Sequence, residues 1–240
     1  QFSSITKFTN YLKKSKKKVD YLVICSPNNL HFKHIKLGLK MNMNIICEKP
    51  IVINKYQFEQ IRFLSKKYNK KINSILQLRF HPSILKLKKL ADKTNKMNKI
   101  NLKYHTERYP EYFKTWKGND IKSGGIILNI GVHFFDLMLW IFGNLKNSLV
   151  IYNNKFNAKG ILYLEKAKVT WDLSVKKIKR KETPKVDRVI KFNNKEIEFS
   201  NTFDDLHTLN YRKILKLKNS NLVDAFKSIQ LVNNLKKNAI

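Results

Sequence analysis

The chain has 240 residues, of which 42% are hydrophobic, enough for one large or two modest cores. No repeat and no Pro/Gly/Ser-rich linker divides it, so the composition predicts an ordinary globular protein. Its 49 basic residues against 17 acidic residues give a net charge of +32, which by itself suggests a nucleic-acid or anionic-membrane partner.

The type of basic residue argues against a sequence-specific nucleic-acid partner. There are 43 lysines and six arginines, and asparagine and isoleucine are also abundant, as an AT-rich genome imposes. Arginine supplies the bidentate contacts that read bases and phosphates, and there is little of it here. We therefore predict that KKSKKK (13–18) and KKIKRK (176–181) are solvated surface, with an electrostatic partner site as the alternative. The positive charge could attract an anionic substrate under both interpretations.

Two features predict a cytoplasmic protein. Cys25 and Cys47 lie in apolar, strand-like runs without a zinc-binding pattern, which predicts buried free thiols in a reducing compartment. The most apolar segment, 126–143, is long enough for a membrane span, but it contains an asparagine, a histidine and an aspartate. We therefore predict a core helix there and no membrane insertion. The N-terminal segment lacks the apolar centre of a signal peptide.

The first 80 residues alternate apolar runs with amphipathic segments. VDYLVICS (19–26), NIICEKP (44–50) and KINSILQLRF (71–80) are predicted to be buried parallel strands, with helices between them. This order is that of βαβ units with right-handed crossovers. Residues 1–80 are therefore predicted to form part of a doubly wound α/β sheet.

After residue 80 the pattern changes. A helix (84–96), an extended strand (100–109) and a long core helix (124–142) are predicted first. From Leu149 onward come segments of alternating polarity, which predict antiparallel strands half exposed on one face, and an amphipathic helix closes the chain. Residues 81–240 are therefore predicted to form an α+β domain with a mostly antiparallel sheet.

Lys49 ends the second apolar run and stands between Glu48 and Pro50. Open α/β sheets bind ligands at the carboxyl ends of their strands. Because Pro50 disfavours helical geometry in the residue before it, Lys49 is predicted to be extended at the edge of the sheet. An ammonium group there can donate to a substrate oxygen or, when partly desolvated, carry a proton. A solvent-exposed lysine is the simpler alternative in so lysine-rich a chain.

A second candidate group lies in the long apolar segment. Asn129 and His133 are four residues apart, so on a helix they share one face, with Asp136 one step further along. Two glycines free the start of that helix, and Gly131 permits close approach of a backbone or a ligand. A histidine with its bonds satisfied inside the core is the alternative.

A resemblance to the Gfo/Idh/MocA family of nicotinamide-dependent oxidoreductases is carried by SPNNLHFKHIKLGLKMNMNIICEKPIVI, QLRFHPSI, WKGNDIKSGGIILNIGVHFFDLMLWIFG and FDDLHT. Within the family, NIGVHFFD and DLHT are similar to the branch that oxidises the C3 hydroxyl of UDP-N-acetylglucosaminuronic acid in surface-polysaccharide (lipopolysaccharide) synthesis. The resemblance implies a Rossmann-like NAD-binding domain joined to a substrate domain whose sheet often mediates homo-oligomerisation. It implies NAD as cofactor, a UDP-sugar as substrate and no metal.

The resemblance also implies catalytic roles. Lys49 would lie beside the nicotinamide and the reacting hydroxyl, His133 opposite it, and Asn129 would hydrogen-bond nearby. Hydride would leave to NAD and a proton would pass to His133 or Lys49, a choice the residues leave open. The unperturbed histidine pKa of about 6.5 favours His133 as the base and Lys49 as electrostatic stabiliser and proton partner.

Further positions follow from the same resemblance. The residues implied for the cofactor, besides Lys49, are Ser26, Pro27, Asn28, His31, Glu48 and Gln77. Those implied for the substrate, besides Lys49, Asn129 and His133, are Arg79, Arg108, Trp116 and Lys117. Of these side chains, an arginine binds a carboxylate or phosphate best, because its guanidinium donates two parallel hydrogen bonds. The alternative for these positions is a surface ion pair or an aromatic residue of the core. His207 marks the branch and has no assigned role.

One expected motif is absent. A dinucleotide-binding domain opens with a strand, a GxGxxG turn and a helix that holds the diphosphate. The seven glycines, at 38, 118, 124, 125, 131, 143 and 160, do not form it. We therefore expect a fragment of a longer chain that lacks the first half of the domain, on the order of 70 residues by family analogy. The alternatives are a truncated homologue that acts only as an interaction subunit, and another sugar or inositol dehydrogenase of the family.

Overall fold

The computed structural model describes residues 2–15, 18–199, 203–217 and 219–237, so two lysines of the KKSKKK block, at 16 and 17, lie outside the described residues. Its first unit contains α1 (Ile5–Lys14), β1 (Tyr21–Ile24), α2 (Asn28–Lys40), β2 (Asn44–Cys47), α3 (Lys55–Lys67) and β3 (Ile72–Ser74). The strands form a parallel sheet in the order β1-β2-β3, as predicted. Because β2 is the central strand, the residues that follow it lie between the carboxyl ends of β1 and β3.

The strand predicted at 71–80 is wrong beyond Ser74. The chain leaves the sheet after β3, and Gln77–Phe80 forms a 3-10 turn. The side chain of Asn210 accepts the backbone N–H of Leu76 at 2.7 Å, so this donor is not free to continue a strand ladder. Gln77 and Arg79 therefore lie in a turn and not on a strand.

The two cysteines differ in exposure. Cys47 lies on the central strand β2 and is buried, whereas Cys25 follows β1 and is exposed. The prediction of a buried thiol is therefore wrong for Cys25. The physical reason is that β1 lies at the edge of the described sheet, where the neighbouring Val23 is also 47% exposed.

The second unit is built on a six-stranded sheet of β4 (Asn98–Arg108), β5 (Leu145–Asn153), β6 (Asn157–Leu164), β7 (Ala167–Lys177), β8 (Val186–Phe192) and β9 (Lys195–Ile197). The order is β5-β6-β7-β4-β8-β9, and every neighbouring pair is antiparallel except β4 and β7. The mostly antiparallel sheet is as predicted. Its helices are α4 (Pro82–Asp92), α5 (Pro110–Lys114), α6 (Asp120–Ser123), α7 (Gly125–Asn129), α8 (Gly131–Phe142), α9 (Leu206–Leu217) and α10 (Leu222–Lys237).

The apolar segment predicted as one long helix is interrupted. Gly124 has a left-handed φ of +87°, and α7 ends at Asn129, two residues before α8 begins at Gly131. Asn129 and His133 therefore lie on successive short helices. The segment Asp120–Phe142 is long and apolar enough to cross a membrane by length and composition, and 67% of its apolar window is buried inside the protein.

Close contact of α8 with the sheet holds this segment in place. A Cβ on Gly131 would lie 3.0 Å from Leu173 Cδ1 of β7 and 2.6 Å from Phe135 Cε2. Phe135 and the fully buried Trp171 pack edge to face, with ring centroids 5.3 Å apart. The glycine therefore allows α8 to approach β7, which fixes the helix that carries His133.

The last two helices return to the first unit. Ser220 and Asn221, before α10, hydrogen-bond the outer edge of β3: Ser220 Oγ donates to Ile72 O at 2.5 Å, and Asn221 Nδ2 donates to Ser74 O at 2.8 Å. The segment before α10 therefore contacts the edge of the first sheet. Side chains thus accompany the outer edge of β3 and accept or donate hydrogen bonds there.

Candidate active site

Lys49 lies two residues beyond the end of β2, and a cis peptide bond joins it to Pro50. Its side chain is partly buried, and Nζ donates a hydrogen bond to the carbonyl oxygen of Asn129 at 2.8 Å. Burial lowers the pKa of Lys49 from 10.5 to about 8, since a low-dielectric environment disfavours the charged form. The cationic Lys117 lowers this pKa further, and Glu48 opposes the shift.

His133 lines the same small cavity as Lys49. This cavity has a volume of about 10 Å³, room for about one water molecule, and Asp136 and Ser74 also line it. Burial lowers the pKa of His133 well below its ordinary value, and the positive charge of Lys49 adds to that effect. The imidazole is therefore neutral near pH 7, next to an ammonium group.

Asn129 is held from both units. Asn28 Nδ2 donates to Asn129 Oδ1 at 3.2 Å and to the carbonyl of Ser123 at 2.8 Å, and Asn129 Nδ2 donates to Tyr112 Oη at 3.4 Å. Asn28 is buried, and both hydrogen bonds of its side-chain amide go to residues of the second unit. Its amide therefore links the two units. Tyr112 is a site residue that sequence reasoning missed, because nothing in its spacing distinguishes it from a core aromatic.

His31 joins the loops that follow β1 and β2. It is completely buried, with Nδ1 2.7 Å from the carbonyl oxygen of Pro50 and Nε2 2.7 Å from that of Ser26. Burial lowers the pKa of His31, and the two carbonyl contacts oppose the shift. The structure therefore gives His31 contacts that support the backbone beside Lys49.

The other residues implied for the cofactor differ in their surroundings. Ser26 Oγ lies 2.9 Å from His34 Nδ1, and Pro27 caps the start of α2. Gln77 is buried, and its Oε1 has no hydrogen-bond partner among the described residues. Glu48 Oε1 lies 3.4 Å from Nε2 of His207, which gives that histidine a partner.

Arg79 is engaged in an internal ion-pair network. Its Nη2 and Nε donate to the buried carboxylate of Asp136 at 2.7 and 2.8 Å, and its Nη1 donates to Asp224 at 2.8 Å. Burial raises the pKa of Asp136, and Arg79 opposes that shift. A guanidinium paired with two carboxylates is poorly available to an anionic substrate. The structure thus does not bring Arg79 together with Lys49 as a free anion-binding group.

The remaining three positions do not line the cavity that Lys49 and His133 share. Arg108 ends β4, with its guanidinium 5.7 Å from the ring centroid of Tyr112. Trp116 is half-buried, with Lys117 Nζ 5.8 Å from its ring centroid. The side chain of Lys117 is exposed, and it lines a small cavity together with Asn129 and Tyr112.

Comparison with known proteins agrees with this architecture. The family model described as "Oxidoreductase family, NAD-binding Rossmann fold" matches residues 1–75, and the one described as "Oxidoreductase family, C-terminal alpha/beta domain" matches residues 95–160. The structure of the WlbA (WbpB) dehydrogenase from Thermus thermophilus in complex with NAD and UDP-GlcNAcA is 34% identical, with a TM-score of 0.90. That comparison covers 100% of this chain and 79% of that chain.

Curated relatives are more distant. The putative oxidoreductase YteT of Bacillus subtilis is 25% identical over 139 residues, which are 56% of this chain and 32% of that protein. D-glucoside 3-dehydrogenase of Escherichia coli is 23% identical over 132 residues, 52% of this chain and 36% of that protein. The chain thus spans about a third of the length of these relatives.

The fold and the two matched regions define an oxidoreductase-type architecture, an NAD-binding Rossmann fold followed by an α/β domain. The chain belongs to the Gfo/Idh/MocA oxidoreductase family, which confirms the resemblance seen in its sequence. The predicted boundary at residue 80 stays a prediction.

Proposed function

We propose that the full-length protein is an NAD-dependent dehydrogenase that oxidises the C3 hydroxyl of a UDP-linked N-acetylglucosaminuronic acid. The observation that carries this proposal is the partly buried Lys49, with a pKa of about 8, which shares one small cavity with His133 at the end of β2. Family membership supports the proposal. So does the 34% identity to a dehydrogenase whose structure contains NAD and UDP-GlcNAcA.

The residues at the strand ends fit NAD as the cofactor. Ser26, Pro27 and Asn28 follow β1 and begin α2, the position at which open α/β sheets bind dinucleotides. When bound there, NAD supplies the hydride acceptor that oxidation of an alcohol requires. In this chain the loops after β1 and β2 are the segments that offer contacts to it.

The proton of the reacting hydroxyl needs an acceptor. The lowered pKa values of Lys49 and His133 favour Lys49 for this role. A general base works best when its pKa lies near the operating pH, and Lys49 meets this condition with a pKa of about 8. The pKa of His133 lies well below its ordinary value, so its imidazole holds a proton weakly. We therefore favour Lys49 as the base, with neutral His133 as a hydrogen-bonding partner of the substrate oxygen, in contrast to the sequence-based preference.

Three wider expectations belong to the same proposal. A cytoplasmic enzyme without membrane insertion agrees with the burial of the Asp120–Phe142 segment inside the protein. A homo-oligomer is expected from the resemblance, and the outer face of the six-stranded sheet, with the exposed Tyr163 and the half-buried Lys103, is the surface available for it. A role in surface-polysaccharide synthesis is expected from the substrate.

The test is NADH formation by the full-length protein with UDP-N-acetylglucosaminuronic acid, compared with the same sugar without UDP and with an inositol. Lys49→Met should lower kcat by about 10² to 10⁴ and change sugar-nucleotide affinity little, because acid-base groups contribute about that much to rate. The matched control is Lys55→Met, at an exposed position on α3. If the protein oxidises only the inositol, it is another dehydrogenase of the family. If it oxidises none of the three compounds, it is an interaction subunit.

A further inference from the structure

A cavity of about 220 Å³ lies between α8 and α9, apart from the small cavity that Lys49 and His133 share. Leu76 lines both spaces, whereas Lys49 and His133 belong to the lining of the smaller one. The walls of the larger cavity come from the 3-10 turn after β3, α4, α8, α9 and α10, through Phe80, Leu85, Trp140, Lys213 and Asp224. The proposed reaction uses none of these side chains.

Two asparagines that line this cavity have spare hydrogen-bond donors. Asn210 Oδ1 accepts the backbone N–H of Leu76 at 2.7 Å, and Asn73 Oδ1 accepts that of Asn221 at 3.1 Å. Because a backbone donor holds each amide oxygen, the orientation of each amide is fixed and its nitrogen points elsewhere. Within the part of the chain that the structure describes, neither Nδ2 atom donates a hydrogen bond to a protein acceptor.

Both amide nitrogens open into the cavity. Asn73 and Asn210 are each 3% exposed, so their side chains are buried. The fully enclosed side-chain atoms without a partner among the described residues are Gln77 Oε1, Thr106 Oγ1 and Trp171 Nε1. The two Nδ2 atoms are not enclosed in this way, and the space that both residues line is this cavity. A buried donor without an acceptor costs free energy, so a ligand with acceptor oxygens is favoured here.

Lys213 is the cation available in this cavity. Its Nζ lies 5.4 Å from the ring centroid of Phe80, and it forms no ion pair with a carboxylate of the described residues. The carboxylates of Asp224 and Asp136 are both paired with Arg79, which offsets part of their repulsion of an anion. An ammonium group and two amide nitrogens thus face one space, and a carboxylate has lone pairs for all three.

Apolar side chains line the rest of the cavity. Leu85, Ile214 and the half-buried Trp140 belong to this wall, and the guanidinium of Arg79 lies 5.3 Å from the centroid of the Trp140 ring. Ligand sites combine such apolar and aromatic walls with a few placed polar groups. The volume of about 220 Å³ is below the range of about 300 to 1,000 Å³ of most small-molecule sites. A ligand of about one ring therefore fits it.

We propose that this cavity is a ligand site, distinct from the reaction centre, for a small organic carboxylate that carries one ring. The carboxylate accepts hydrogen bonds from Asn73 and Asn210 and pairs with Lys213, while the ring lies against Trp140. Inorganic phosphate offers similar acceptor oxygens, but it would leave the apolar wall in water. A neutral hydroxylated ring would leave Lys213 without a counter-charge.

The experiment is a titration of the full-length protein with para-fluorobenzoate, followed by fluorine NMR. The wild type should bind this probe with a Kd of about 1 mM or below, as expected for so small a ligand. Lys213→Gln should weaken binding about three- to tenfold, because a charged donor to the carboxylate is lost. The matched control, Lys216→Gln, makes the same charge change at an exposed position of α9 and should bind the probe as the wild type does.

A second variant tests the amides directly. Asn210→Asp keeps an oxygen for the N–H of Leu76 but replaces the free donor with a negative charge, so affinity should fall more than about tenfold. Its circular dichroism spectrum checks that it is folded. The probe para-fluorobenzamide has the same ring without the charge and should bind the wild type about tenfold more weakly.

No binding of para-fluorobenzoate by the wild type at about 10 mM would overturn the proposal. Equal affinities of Lys213→Gln and Lys216→Gln, or full affinity of a folded Asn210→Asp protein, would overturn it as well. Loss of binding in Lys49→Met would place the probe at the reaction centre and refute a distinct site. Displacement of the probe by an equal concentration of inorganic phosphate would show that the site selects the anion alone, against an organic carboxylate.

Discussion

Replacing Lys49 with methionine is expected to stabilise the folded protein slightly while removing its acid-base group. Burial lowers the pKa of Lys49 from 10.5 to about 8, and each pKa unit corresponds to about 1.36 kcal/mol. The charged ammonium therefore costs the folded state about 3 kcal/mol near pH 7. Methionine removes that cost but leaves the carbonyl of Asn129 without its donor, a loss of about 1 to 3 kcal/mol. The net gain is expected between about 0 and 2 kcal/mol.

The pH dependence of this difference identifies its cause. A lysine whose folded-state pKa lies below its unfolded value carries its full cost below about pH 8. As pH rises from about 8 towards 10.5, the folded protein loses this proton first and the cost disappears. The stability gained by Lys49→Met should thus be constant from pH 6 to pH 8, and should shrink at higher pH.

The assay is urea unfolding of wild type and Lys49→Met at several pH values, with Lys55→Met as the control for loss of an exposed charge. The free energy of unfolding of the control should follow the wild type within about 0.5 kcal/mol at every pH. A Lys49→Met protein that is less stable than wild type by more than about 1 kcal/mol at pH 7 would refute the reasoning. In that case the ammonium would be solvated, and its pKa would be close to that of an ordinary lysine.

The remaining predictions concern the base, a buried histidine and the net charge. With Lys49 as the base, kcat/KM should rise about tenfold per pH unit up to about pH 8, whereas a profile already flat above about pH 6.5 would point to His133. His31→Ala should lower the free energy of unfolding by about 2 to 5 kcal/mol, because a completely buried side chain that contacts the carbonyl oxygens of Pro50 and Ser26 is lost. The half-buried His34→Ala should cost less, and equal losses would contradict this. DNA binding should be weak, blind to sequence and steeply salt-dependent, so nanomolar affinity for one sequence at physiological salt would show that the lysines form a specific interface.

Local patterns predicted most of the fold, and pairing between distant segments produced the exceptions. The continuous apolar run of β2 and the alternation in β6 and β7 are visible in the sequence because burial acts on each strand directly. The prediction of a buried strand is wrong for β1, which lies at the edge of the described sheet and of whose residues only Ile24 is buried. The early end of β3 depends on Asn210, more than 130 residues away, which no local pattern reveals. The parallel pairing of β4 with β7 inside an otherwise antiparallel sheet is a long-range choice of the same kind.

The candidate site shows the same division between residue identity and environment. Lys49, Asn129 and His133 could be named from motifs, but the pKa of Lys49 depends on where the second unit docks. The second unit supplies the carbonyl oxygen of Asn129, which accepts the hydrogen bond of Lys49, and the cationic Lys117, which precedes α6. The opposing negative charge, Glu48, is the residue next to Lys49 in the sequence. A motif identifies a lysine, whereas its proton affinity arises from desolvation by the other unit. It follows that substitutions at the contact between the units, such as at Asn28, can shift the pH dependence of the enzyme without touching a reacting group.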